Sequence, residues 1–283
     1  METSEKLTLA DERERLRHTI DRVEDQLDSC GVPRQPVGTP APGVGCLSGI
    51  DEADLIGKIP TTLEHTLLRP DATLKEIKEL CEDARKHQFF GVCVQPVYAR
   101  PAAELLRGTG CAVVTVVGFP HGSNTSETKA FEASAAIGCD RDDPGADELD
   151  MVISLGLLKA GDYFAVHRDI SLVVEASRGR PVKVIIESTS SLKTEDEKVA
   201  ACLLAARAGA SFVKTSTGFG GGGATVDDVK LMRAVVPELG VKAAGGIRDL
   251  ATAMQMIQAG ADRIGCSSSV KIVTEIESWS EKA

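Results

Sequence analysis

In SFVKTSTGFGGGGATVDDVKLMRAVVPELGVKAAGGIRDLATAMQMIQAGADRIGCS, residues 211–267, three short strand-like runs alternate with two helical segments. The runs are SFVKTS (211–216), VKAAGG (241–246) and DRIGCS (262–267), and the helical segments lie near 225–236 and 249–259. The second helical segment stops at Gly260, where a residue that tolerates a left-handed backbone is expected. The same rhythm extends back to about residue 60, with strands expected in TTLEHTL (61–67), GVCV (91–94), AVVTVVGF (112–119), ELDMVI (148–153) and VKVIIES (182–188). Helices are expected near 73–87, 98–108, 125–138, 159–178, 194–209 and, at the end, 268–279. Units recur roughly every 30 residues without a hairpin signal, so the strands should be parallel and joined by crossover helices. Eight such units predict a closed (β/α)8 TIM barrel rather than an open doubly wound sheet. No GxGxxG follows the first strand, so nothing supports dinucleotide binding.

The segment before the barrel reads differently. Leu9, Leu16, Ile20, Val23 and Leu27 line one face of an amphipathic helix over residues 1–30, which Thr8 or Asp11 could cap. Pro33, Pro36, Pro40 and Pro42 make residues 31–46 a linker, leaving 47–283 for the barrel. The helix is expected to pack on the barrel, with self-association or docking to a partner as the other use of its apolar face.

The 283 residues carry 32 Lys and Arg against 42 Asp and Glu, a net charge of −10. That balance argues against nucleic-acid and anionic-membrane partners. No uninterrupted apolar run reaches about 18 residues, so no membrane span is expected. The first residues lack the basic-then-apolar layout of a secretory signal, and eight cysteines without a CxxC read as reduced thiols of a cytoplasmic protein.

In a barrel, chemistry sits at the C-terminal ends of the strands. Reading those ends gives Glu64, His65, Cys93, Asp150, Glu187, Lys214, Lys242, Ser267 and Ser268. Lys214 and Lys242 are lysines inside successive strands, a poor choice unless each ammonium has a partner or a task. A second cation and partial burial both favour the neutral amine, which attacks a carbonyl to form a Schiff base. Asp150 alternates out of phase with Leu149 and Met151 and should face the barrel mouth, whereas Asp147 and Glu148 read as solvated or capping groups. Thr217-Gly218, Gly245-Gly246 and Ser267-Ser268 follow the last three strands, the usual place for a phosphate pocket in this fold. The expected substrate is a phosphorylated carbonyl compound.

The motifs EHTLLRPDAT (64–73), GVCVQPVY (91–98), VVGFPHG (116–122), GADELDMVI (145–153), KVIIES (183–188), FVKTSTGF (212–219), VKAAGGIR (241–248) and RIGCSS (263–268) together resemble the deoxyribose-phosphate aldolases from about Leu63 to Val270. The resemblance implies a class I, metal-independent aldolase that needs no cofactor. It would cleave 2-deoxy-D-ribose 5-phosphate reversibly to D-glyceraldehyde 3-phosphate and acetaldehyde. It implies Lys214 as the Schiff-base lysine, Lys242 as the neighbour that perturbs its pKa, and Asp150 as the proton relay. It implies Gly218, Gly245, Gly246, Ser267 and Ser268 as phosphate ligands, with Thr217 beside them and Cys93 and Lys183 lining the same mouth. The family's habit also suggests a homodimer.

The chain departs from the family pattern at Glu64, where Asp is usual, at Gln95 in place of Asn, and at CDRDDP (139–144), which reads as an insertion. It also ends in WSEKA, without the C-terminal tyrosine that some members carry. Two other readings remain: a barrel that has become a binding or scaffold protein, and another phosphate-binding barrel such as an isomerase or a metal-dependent aldolase. The five histidines show no ligand-like cluster, which ranks the metal reading last.

Overall fold

The computed structural model describes residues 8–36, 47, 51–138 and 144–280. Most of the proline-rich linker and residues 139–143 of the expected insertion lie outside them.

The strands are β1 (Leu63–Leu67), β2 (Gly91–Val94), β3 (Ala112–Val117), β4 (Glu148–Val152), β5 (Val182–Ile185), β6 (Phe212–Lys214), β7 (Gly240–Ala244) and β8 (Arg263–Cys266). They pair in parallel in sequence order, and β1 also pairs with β8, which closes the barrel. The helices are α1 (Leu9–Ser29), α2 (Glu52–Lys58), α3 (Leu74–Lys86), α4 (Ala99–Leu105), α5 (Ser126–Ala136), α6 (Leu155–Lys159), α7 (Tyr163–Ala176), α8 (Glu195–Arg207), α9 (Val226–Val235), α10 (Leu250–Gln258) and α11 (Ser269–Ser280). All eight strands lie where the alternation predicts them, so the (β/α)8 expectation holds. The helix expected over 159–178 is α7, which starts four residues later because the Asp162 side chain caps it by accepting from the Ala165 N–H at 3.1 Å; the short α6 before it was not expected. The seven-residue α2 has too few turns for periodicity to reveal it.

Each crossover helix turns its apolar stripe to the strands. Leu149 and Met151 of β4 face that helical layer with Val182 and Val184 of β5, all buried. The loops leaving the C-terminal ends of the strands finish in capping residues. Thr73 and Thr194 form capping boxes with Glu76 and Glu197, and Thr125, Thr225 and Asp249 cap α5, α9 and α10. Such caps satisfy the orphan N–H groups of the first turn and fix where each loop ends. The barrel floor is built by Arg263, whose guanidinium lies 3.7 Å from the Phe90 ring centroid and 5.8 Å from that of Phe212.

Helix α1 lies on α8 and α9, with Leu16, Val23 and Leu27 buried. Thr8 and Asp11 share the capping work, each side chain bonding the other's backbone N–H. Ion pairs Arg15–Glu195 (2.7 Å) and Arg22–Asp196 (2.6 Å) tie the helix to the start of α8. At the far end the buried Arg207 pairs with Asp28 at 2.7 Å and with Glu24, and donates to the Val32 carbonyl at 3.2 Å. The apolar face that suggested self-association or partner docking is therefore covered by the chain itself. Among the described residues, no helix is long and apolar enough to cross a membrane.

Candidate active site

Side chains on a strand alternate between faces, so Glu64, Glu148, Asp150, Lys183, Lys214 and Lys242 come from β1, β4, β5, β6 and β7 into one barrel interior. Register sets the pairs: Asp150 lies opposite Lys183, and Lys214 opposite Lys242. Asp150 is the hub. Its Oδ1 meets Lys183 Nζ at 3.0 Å, and its Oδ2 meets Lys214 Nζ at 2.7 Å and Lys242 Nζ at 2.6 Å. Lys183 also pairs with Glu148 at 2.6 Å and Glu64 at 3.5 Å, and Lys242 pairs with Glu64. Gly265 makes room for this packing, since a Cβ there would stand 2.9 Å from Lys242 Cε.

Three lysines and three carboxylates thus balance one another in a buried interior. Burial alone would discharge each of them, at a cost of several kcal/mol per uncompensated ion. The neighbours win. Burial pushes Lys183 and Lys242 down, but the surrounding carboxylates more than reverse this and hold both above the ordinary lysine value. Burial likewise raises Asp150 and Glu64, and the lysines outweigh it, so both carboxyls lie below their usual range, Asp150 well below.

The lysines differ in one respect. Lys183 and Lys242 are fully buried and each has at least two carboxylate partners, whereas Lys214 pairs, among the described residues, with Asp150 alone and forms part of the wall of a cavity of about 430 Å³ at the C-terminal end of the barrel. Lys214 is therefore the amine that can meet a ligand.

Thr217, Gly218, Gly245, Gly246 and Ser267 line the same cavity, as expected of a phosphate pocket. Ser268 is the next residue, half-buried just before α11, and does not line it. Cys93 and Lys183 do not reach the mouth where the resemblance would put them. Both are fully buried beneath it, and burial pushes the Cys93 thiol up to about 11. Gln95 donates from Nε2 to the Leu68 carbonyl at 2.9 Å and so fastens a cavity wall.

Glu148 is a correction. It is buried against Lys183 rather than solvated, because the alternation that turns Asp150 inward turns Glu148 inward too. Asp147 does cap, accepting from the Val113 N–H at 2.9 Å. Glu64, read only as a departure from the family pattern, is a full member of the ionic cage. Arg69 and Arg248 also line the cavity and escaped the sequence reading. Arg69 is engaged with Asp71 at 2.6 Å and with Glu76, while exposed Arg248 makes no ion pair among the described residues. His65 faces the helical layer, 5.5 Å from Phe89, and is outside the site.

Glu64, Cys93 and Asp150 place potential ligand atoms within 4.8 Å of one another. This donor set does not fit a metal ion: the Lys242 ammonium already bridges the two carboxylates, and the Cys93 thiol resists ionisation. A larger hollow of about 810 Å³ lies by Arg107, Asp147 and Arg180, away from the cage at the other end of the barrel.

Comparison with known proteins agrees with this geometry. A family profile described as DeoC/LacD family aldolase matches residues 60–274. A deoxyribose-phosphate aldolase of Thermotoga petrophila is 55% identical over 219 residues, covering 77% of this chain and 86% of that protein. One from Geobacillus sp. is 55% identical over 217 residues, 76% of this chain and 94% of that protein. A solved structure from Coccidioides immitis superposes with a TM-score of 0.77 at 36% identity, over 91% of this chain and 98% of its own. A tetrameric deoxyribose phosphate aldolase from Aeropyrum pernix gives a TM-score of 0.69 at 32% identity, over 83% of this chain and the whole of that one.

Proposed function

The chain belongs to the DeoC/LacD family of aldolases, and from that premise and the geometry of the site we infer that it is a class I aldolase. It cleaves 2-deoxy-D-ribose 5-phosphate reversibly to D-glyceraldehyde 3-phosphate and acetaldehyde. The observation that carries the reading is the exposure of Lys214 alone, among the three caged lysines, to a cavity rimmed by glycine amides and serine.

The neutral Lys214 amine attacks C1 of the open-chain sugar, and loss of water leaves a protonated imine. A base removes the proton of the C3 hydroxyl, the C2–C3 bond breaks, and its electron pair moves into the iminium. Glyceraldehyde 3-phosphate leaves, and Lys214 holds the enamine of acetaldehyde. Protonation of the enamine carbon and addition of water release acetaldehyde and restore the amine. Asp150, 2.7 Å from Lys214 Nζ, is suited to pass these protons through water and to steady the iminium. Lys242 and Lys183 hold Asp150 ionised, and Glu64 steadies Lys242. Gly218, Gly245, Gly246 and Ser267 receive the phosphate, and Arg248 adds a cation at the rim. Cys93 packs beneath the reacting carbons as a neutral thiol. A cytoplasmic setting and a homodimer complete the proposal and rest on the family rather than on the barrel itself.

The test is proton NMR of purified protein with 2-deoxyribose 5-phosphate. Acetaldehyde and glyceraldehyde 3-phosphate should form in equal amounts, with and without EDTA. A folded protein that forms neither product, or one that EDTA silences until a divalent ion is restored, would contradict the reading.

A further inference from the structure

Among the described residues, three other than glycine have a positive φ: Gln88, Arg178 and Glu187. Gln88 and Arg178 are exposed and follow the ends of α3 and α7, where a left-handed residue commonly terminates a helix. Glu187 is different. At φ 52 it follows a strand, is 3% exposed, and carries a charge. A left-handed glutamate persists only where surrounding contacts impose it, and such positions gather at functional sites.

The contacts here are specific. On either side of Glu187 the chain still pairs with β6 and its extension, Ile186 N–H donating to the Lys214 carbonyl and Ser188 N–H to that of Thr215, each at 3.0 Å. The turn between them sends the Glu187 carboxylate into the glycine-rich loop after β6. One oxygen accepts from the Thr217 N–H and the other from the Ser190 hydroxyl. Gly220 has no side chain because Glu187 fills that space: a Cβ there would stand 2.3 Å from Oε2. Thr189 Oγ donates to the Gly223 carbonyl at 2.6 Å, and Ala224 N–H donates to the Gly245 carbonyl at 3.0 Å. A continuous chain of contacts therefore runs from Glu187 through the loop to Gly245. Two cavity-lining glycines, Gly218 and Gly246, carry N–H groups that have no partner among the described residues.

We propose that Glu187 is the positioning residue for the phosphate pocket. By taking the Thr217 amide and filling the space at Gly220, it holds the loop so that the neighbouring amides converge on an anion. It acts on the phosphate end of the substrate and leaves the chemistry at Lys214 to the cage. The inference rests on the proposed function and adds to it the residue that governs selection of phosphorylated over free sugar.

The experiment compares wild type with Glu187→Gly and Glu187→Gln. Glycine removes the carboxylate and the backbone strain together, so the variant should fold. Glutamine keeps an acceptor for Thr217 N–H and offers Ser190 a donor. For Glu187→Gly, KM for 2-deoxyribose 5-phosphate should rise by about 10- to 30-fold with kcat within about 3-fold of wild type. The kcat/KM for unphosphorylated 2-deoxyribose should not change, and Glu187→Gln should recover most of the lost affinity. Equal losses on both sugars, or an unchanged KM for the phosphate ester, would overturn the assignment. Titration with inorganic phosphate by calorimetry keeps this claim separate from the reading it rests on. If wild type cleaves no sugar, the aldolase reading fails by itself, and weaker phosphate binding by Glu187→Gly still supports the positioning role, whereas equal binding defeats it.

Discussion

Asp150 Oδ2 receives both Lys214 and Lys242, so two amines share one carboxylate oxygen. The sequence reading expected Lys242 to act as a bare cation that lowers its neighbour's affinity for a proton. The structure gives Lys242 two carboxylates, Glu64 and the shared Asp150, which hold it charged and soften its repulsion of Lys214. Lys242 is also one of the cations that keep Asp150 ionised, so Lys242→Met should lower kcat/KM by about 100-fold. A kcat/KM equal to that of wild type would remove Lys242 from the account. At this scale the residue types were legible, since lysine inside a strand demands an explanation. The partners were not. Asp147 and Glu148 read as solvated or capping groups at the strand entry, and only the pairing of β4 with β5, which sets Asp150 opposite Lys183, explains why Glu148 is buried beside that lysine.

Among the elements, short β-branched runs recurring at regular spacing between helical segments made all eight strands readable, because each strand buries one face in the barrel and the other under helices. Helix boundaries set by a single side chain were less visible, as with Asp162 at the break between α6 and α7. Register was invisible, because the hydrogen bonds that fix it join residues distant in sequence. Helix α1 was readable as amphipathic, yet its role depends on what covers it. With Leu16, Val23 and Leu27 buried against α8 and α9, it buttresses the helices that follow β5 and β6. Leu27→Ala should lower unfolding stability by about 2–5 kcal/mol by leaving a cavity, while kcat stays unchanged. Denaturant titration with parallel assays checks both halves. A variant with native stability would show that α1 contributes little to the fold.

For the molecule as a whole, the ionic cage makes stability depend on pH from both sides. Glu64 and Asp150 are held below their ordinary values, so their stabilisation is present above about pH 4 and is lost as pH falls through the folded values. Lys183 and Lys242 are held above theirs, so their stabilisation is complete below about pH 10 and is lost as pH rises through the folded values. Glu64→Gln leaves Lys242 with one carboxylate fewer and should cost about 3 kcal/mol near neutrality. The gap between its melting temperature and that of wild type should narrow below about pH 4, where the unfolded wild-type chain takes up a proton at Glu64 before the folded one does. A gap independent of pH would mean that Glu64 stabilises by packing alone. The same balance bears on substrate entry. A net charge of −10 does not steer a phosphorylated sugar, so capture falls to the neutral cage, the amides above it and Arg248 at the rim. The claim on which everything turns is that Lys214 is the amine that becomes covalently bound. Borohydride reduction in the presence of 2-deoxyribose 5-phosphate, followed by peptide mass spectrometry, tests it directly. The account predicts one reduced adduct, on Lys214, absent from Lys214→Ala; an adduct on Lys183 or Lys242 instead, or none on folded and active protein, would contradict it.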